Sequence, residues 1–213
     1  MKQKEIFTQS EGDAWYLRNK QGIVSRKLPD DDELLKELLQ ILPQNTQGIK
    51  ILEIGCGDGS RLSWLKNQLN LDCYGIDPSA QAVQAALNRG VNALQSTADK
   101  LPFDNQYFDI VIFGFCLYLC DRDDLFLIAS EANRVLNNPG WIMIVDFFSE
   151  TPKVNSYHHK DGINSYKMDY RSLFSWHPHF ECMTHKIRHH ATSTYTDEQD
   201  EWVAVSVLRK MSL

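Results

Sequence analysis

The sequence predicts an α/β fold, a doubly wound, seven-stranded and mostly parallel sheet closed at one edge by an antiparallel C-terminal hairpin. Three observations carry this expectation. Five short apolar runs between positions 50 and 147 are separated by segments of helical period. A glycine-rich loop joins the first of these runs to the helix that follows. Two alternating strands, over 181–188 and 201–209, are joined by a polar loop and end the chain.

The elements follow in order. Residues 1–28 read as irregular or partly helical, around the polar-aromatic cluster from Glu11 to Asn19. Pro29, then Asp30, Asp31, Asp32 and Glu33, place negative charge at a helix start, where the helix dipole favours it. Leu34, Leu35, Leu38, Leu39 and Leu42 give that helix one apolar face, and Pro43 stops it. Lys50 to Ile54 is a short buried strand, and Leu62, Leu65 and Leu69 mark the helix after the glycines. Leu71 to Asp77 is a second strand ending in an acid. Pro78 and Ser79 open a helix from Ala80 to Arg89 that Gly90 ends. Val91 to Gln95 and Phe108 to Phe113 are the third and fourth strands, the latter apolar enough to be central. Helical period runs from Asp121 to Asn138, with Pro139-Gly140 as its expected stop, and Trp141 to Phe147 is the fifth strand. Residues 150–180 are rich in aromatic residues and histidine and show no clean period.

Composition narrows the class of function. A net charge of −6 argues against a large basic nucleic-acid footprint. The N-terminal residues lead into no apolar run and so do not read as a secretory signal, and no apolar stretch approaches the roughly 20 residues that span a bilayer. A cytoplasmic protein without a membrane segment is the expectation. The five cysteines, Cys56, Cys73, Cys116, Cys120 and Cys182, are odd in number and scattered. They read as reduced thiols, with neither a disulfide framework nor a metal site.

The loop Glu53-Ile54-Gly55-Cys56-Gly57-Asp58-Gly59-Ser60 carries the chemistry. Glycines between a strand and a helix let backbone N–H groups approach a ligand. A dinucleotide site wants G-x-G-x-x-G; here the spacing is G-x-G-x-G, and Ser60 stands where the last glycine belongs. Glu53 at the strand end repels a pyrophosphate and suits a cofactor that carries an ammonium or sulfonium group. Asp77, at the end of the second strand, is placed to accept two hydrogen bonds from a ribose diol. Thr97-Ala98-Asp99-Lys100-Leu101-Pro102-Phe103 follows the third strand, and Phe108-Asp109-Ile110-Val111 forms the fourth.

In these pieces, and in Arg134-Val135-Leu136-Asn137-Asn138-Pro139-Gly140-Trp141, the chain resembles the class I S-adenosylmethionine-dependent methyltransferases, over about residues 45–150. The resemblance implies a Rossmann-like fold and S-adenosylmethionine as cofactor. It places the methionine part at Glu53 and the backbone of Gly55, Gly57 and Gly59, and the ribose at Asp77 beside Pro78. The adenine amino group falls to Asp99, with the Ala98 or Lys100 backbone nearby, and Phe115 lines the cofactor. Arg18, in an N-terminal segment of the kind that often covers the cofactor, would pair with the methionine carboxylate. It further implies one domain over 1–213, with a cap at 1–45, a cofactor-binding core at 46–150 and a substrate region with the terminal hairpin at 151–213.

Tyr118 stands where the family commonly has a histidine. A tyrosine can orient a substrate hydroxyl but is a poor base near neutral pH, its ordinary pKa being about 10. His158 and His159, in the region where the family builds its substrate pocket, are the candidate bases. The expected activity is methyl transfer to a hydroxyl, amine or other nucleophile of a small molecule. The aromatic, lysine and histidine content of 150–180 suits a sugar or related polar metabolite. No metal and no nucleic acid are expected, and the oligomeric state is left open. Two rival readings are a cofactor-binding regulatory module without turnover and a methyltransferase acting on protein or RNA. An NAD(P)-dependent oxidoreductase is the third, opposed by Glu53 and Ser60.

Overall fold

The computed structural model describes residues 2–212. Its main sheet has seven strands: β1 (Lys50–Ile54), β2 (Asp72–Asp77), β3 (Asn92–Gln95), β4 (Phe108–Gly114), β5 (Leu136–Phe147), β8 (Phe180–His189) and β9 (Trp202–Lys210). Their spatial order is β3-β2-β1-β4-β5-β9-β8. The first five run parallel, and β9 lies antiparallel between β5 and β8. The chain order reverses between β1 and β4, which opens a crevice beyond their carboxyl ends. A separate antiparallel pair, β6 (Lys153–Ser156) and β7 (Asn164–Lys167), precedes β8.

Side-chain alternation in the strands feeds two cores. Leu52, Ile54, Val111 and Phe113 face one side, where α6 (Leu125–Val135) and the short turn Tyr170–Leu173 cover them. Ile51, Ile110 and Ile112 face the other, against α3 (Glu33–Ile41), α4 (Ser60–Leu69) and α5 (Ala80–Asn88). The acids ahead of α3 act as anticipated: the Asp32 carboxylate caps the helix, accepting from Leu35 N–H at 2.9 Å. Ser79 does the same for α5 through Ala82 N–H at 3.0 Å.

Two expectations are corrected. Residues 3–25 are helical almost throughout: α1 (Gln3–Ile6), a π-helical turn (Phe7–Glu11) and α2 (Gly12–Ser25) run on from one another. The buried positions Phe7, Glu11, Gly12 and Tyr16 follow the wider π turn, so the 3.6-residue period that marks a helix is broken there. The other correction concerns Pro139-Gly140, which does not end α6. The helix stops at Val135, because Leu136 already pairs with Phe108 in the sheet and is fully buried. The register then jumps so that Ile110 meets Trp141, and the residues between, Pro139 among them, form an irregularity inside β5.

Candidate active site

A cleft of about 1270 Å³, counting its open mouth, lies over the carboxyl ends of β1, β2 and β4 and beneath the N-terminal helix. From the strands and their loops it is lined by Glu53, Gly55, Gly57, Asp77, Pro78, Ala98, Asp99 and Phe115. From the N-terminal helix and the segment after it come Lys4, Phe7, Trp15, Ile23, Arg26 and Leu28.

Glu53 is 3% exposed. One of its oxygens accepts from the Arg61 guanidinium, which also donates through Nε to Asp32 at 2.8 Å. The other oxygen, Oε2, is buried and has no partner in the protein. Burial pushes the Glu53 carboxyl up to about 7, against the pull of Arg61. A buried acceptor left unmatched at the cleft wall is costly unless a ligand supplies a donor.

The glycine loop turns sharply over this acid. Gly57 has φ +53°, and a Cβ built there would meet nothing within 4 Å, so the loop leaves open space on the ligand side. Gly59, with φ +68°, serves packing: a Cβ there would lie 2.8 Å from that of Ala86, and Gly59 is not among the lining residues. The Asp77 carboxylate steadies the loop, accepting from Gly57 N–H and Ser79 N–H, both at 2.9 Å. Burial raises its pKa to about 6 despite those two donors. Asp99 is raised by burial but lowered further by its hydrogen bond and ion pair with Lys4, so the net direction is down.

Other predicted residues fall as follows. Phe115 holds a left-handed backbone, φ +51°, immediately after β4. That conformation is rare for a bulky residue and sets its ring between the cleft and Phe147, at a centroid distance of 5.6 Å. Tyr118 is buried, and its hydroxyl accepts from Trp15 Nε1 at 3.0 Å. Burial, with Asp146 nearby, pushes its phenol well above the ordinary value. Lys100 is exposed and does not line the cleft. Arg18 lies outside it as well, tied to Glu11 and to the Tyr157 hydroxyl at 2.8 Å, whereas Arg26 lines the mouth. His158 and His159 are exposed on the turn after β6 and are not among the lining residues. His159 packs on Tyr157 instead, at 5.3 Å. Among the described residues no group of three His, Cys, Asp or Glu is arranged to hold a metal ion.

Sequence reading missed Lys4, Asp32 and Arg61. Arg61 had one signal, a charged residue beside Leu62 and Leu65 on a face that must be buried. Lys4 had none, because its position depends on a helix that crosses the cleft.

Comparison with known proteins agrees with this geometry. A family model described as a methyltransferase domain matches residues 52–144. The chain is 30% identical over 129 residues to a fatty-acid O-methyltransferase of Mycolicibacterium smegmatis, covering 56% of this chain and 46% of that protein. It is 36% identical over 107 residues to a phthiotriol/phenolphthiotriol dimycocerosates methyltransferase of Mycobacterium leprae, covering 48% and 39% respectively. The match thus spans less than half the length of these relatives. In fold, the chain is similar to the 1,6-didemethyltoxoflavin-N1-methyltransferase of Burkholderia thailandensis, solved with bound 1,6-didemethyltoxoflavin and S-adenosylhomocysteine. That likeness has a TM-score of 0.64 at 16% identity and covers 93% of this chain and 89% of that one.

Proposed function

We propose that this chain, which resembles the class I S-adenosylmethionine-dependent methyltransferases and matches a methyltransferase-domain model over residues 52–144, binds S-adenosylmethionine in this cleft and transfers its methyl group to a small molecule. One observation carries the reading: a buried, unpartnered carboxylate oxygen of Glu53 beside an open glycine turn. An ammonium group supplies the missing donor. Asp77, already oriented by Gly57 and Ser79, keeps acceptor capacity for ribose hydroxyls. The residues present therefore fit the cofactor.

The bound cofactor would supply an electrophilic methyl carbon on a sulfonium, which a lone pair of the acceptor attacks in line as the carbon–sulfur bond breaks. The protein's part is alignment and exclusion of water. Phe115 and Trp15 both line the cleft and offer it aromatic rings of the kind suited to a cation. Tyr118, held by Trp15, is buried behind the cleft and not among its lining residues, and its phenol is too weak an acid to serve as a base near neutrality.

For the acceptor, the cleft favours a molecule with an apolar part. Its lining includes Ile23, Leu28 and Phe115. The aromatic residues of 150–180 that suggested a sugar are engaged elsewhere: Arg122 stacks on Tyr166 at 4.1 Å, and Tyr157 bonds Arg18 and Glu11. The names of the curated relatives point to lipid acceptors as well. The test is calorimetric binding of S-adenosylhomocysteine, followed by assay of its release from S-adenosylmethionine with fatty acids, long-chain alcohols and sugars as acceptors. Binding without turnover on any acceptor class would favour a regulatory module; no binding would end the cofactor reading.

A further inference from the structure

The N-terminal helix crosses the cleft and is tied down on both banks. On one bank Asp121 accepts from Gln3 N–H and Lys4 N–H, at 2.9 and 3.0 Å. The Gln3 side chain there donates to the Leu119 carbonyl at 2.9 Å and accepts from Asn164 N–H at 2.7 Å. On the other bank Asp13 accepts from the Ser79 hydroxyl at 2.6 Å and from Gln81 N–H at 3.0 Å. Gly12 seats the helix, since a Cβ there would come within 3.1 Å of Ser79 N.

This anchoring fixes Lys4 with its ammonium inside the cleft. Nζ lies 2.5 Å from Asp99 Oδ2 and 2.8 Å from Asp124 Oδ2. Asp99 is the carboxylate expected to accept the adenine amino group. An ammonium at hydrogen-bond distance from Oδ2 would compete with an adenine N–H that sought that oxygen. Asp124 offers the ammonium a second seat, and it already holds Lys2 through Oδ1 at 2.6 Å.

We propose that Lys4 is a resident occupant of the adenine subsite, a cation that fills the donor position at Asp99 until the cofactor's amino group displaces it from there and leaves it on Asp124 alone. This inference rests on the cofactor reading above. Lys4 then sets the affinity and the salt response of the site: each binding event breaks a partly buried ion pair, and added salt weakens that pair before the ligand arrives.

The experiment is titration of the full chain with S-adenosylhomocysteine in wild type, Lys4→Ala, Lys4→Gln and Lys2→Ala, at low and high salt, with melting temperatures measured in parallel. Both Lys4 variants are expected to bind about five-fold tighter or more, the scale of one partly buried ion pair no longer broken. Wild-type affinity is expected to rise with salt, and that rise to vanish in the Lys4 variants. Lys2→Ala frees Asp124 Oδ1 for the Lys4 ammonium but leaves Lys4 in place, and it is expected to gain less affinity than the Lys4 variants and to keep the salt response. Unchanged or weaker binding in Lys4→Gln at a wild-type melting temperature would overturn the proposal, and so would an equal gain in Lys2→Ala. If wild type and every variant fail to bind, the cofactor reading falls and this inference with it. Binding by wild type without a gain in the Lys4 variants sinks only the inference.

Discussion

At the scale of single residues, the carboxylates of the cleft differ in what already holds them. Asp77 spends part of its acceptor capacity on the glycine loop, so Asp77→Ala removes ligand contacts and loosens Gly57 together. We expect S-adenosylhomocysteine affinity to fall by about 2 kcal/mol, roughly 30-fold, on loss of charge-assisted bonds; unchanged affinity in calorimetry would refute the ribose assignment. Gly114 is a quieter determinant. A Cβ there would lie 2.6 Å from Glu53 Oε1, so Gly114→Ala is expected to displace that carboxylate and weaken cofactor binding. The check is a calorimetric affinity clearly below wild type with the circular dichroism spectrum preserved. His158 and His159 stand outside the cleft lining, and wild-type turnover is the expected outcome for alanine at either. A large loss in kcat would instead bring their turn over the acceptor.

Among elements, α3 and α4 are joined at the site by one arginine. Asp32 caps α3 and holds Arg61 of α4, which in turn holds Glu53 at the end of β1. Asp32→Ala removes the cap and leaves a buried guanidinium with one partner fewer. Urea denaturation is expected to show a loss of about 3 kcal/mol; a loss well under 1 kcal/mol would mean that the arginine re-pairs. This link also shows what sequence can and cannot reveal. The glycine loop, both acids at the strand ends and the terminal hairpin were legible because each rests on local pattern. The N-terminal helix was not, since its π turn breaks the period and polar anchors such as Gln3, Asp13 and Asp121 hold it. The left-handed backbone of Phe115 was equally hidden: it falls where the chain leaves β4, with its N–H held by the Val145 carbonyl of the neighbouring strand at 2.9 Å, a tertiary contact.

For the whole molecule, three buried carboxyls contribute to the pH response between the ordinary carboxylate range and neutrality. Glu53 is raised to about 7, Asp77 to about 6 and Asp146 to about 7, each chiefly by burial. A carboxyl whose pKa is raised on folding binds more protons folded than unfolded, so its contribution to stability declines as pH climbs from about 4 to about 7. Asp146 accepts from Leu117 N–H and Phe147 N–H, both at 2.8 Å, and an asparagine oxygen could keep one of these bonds without ionising. Melting temperatures across that range are expected to fall less steeply in Asp146→Asn than in wild type; parallel curves would show that Asp146 does not titrate there. The strand order has a consequence of another kind. Strand β8 is made before β9 yet touches the parallel sheet only through it. During synthesis the cleft-forming half, β1 to β5, can assemble while β8 waits with neither edge paired and β5 with one edge bare. The open edge of β5 is therefore the surface a nascent chain must keep from foreign strands until β9 slides in.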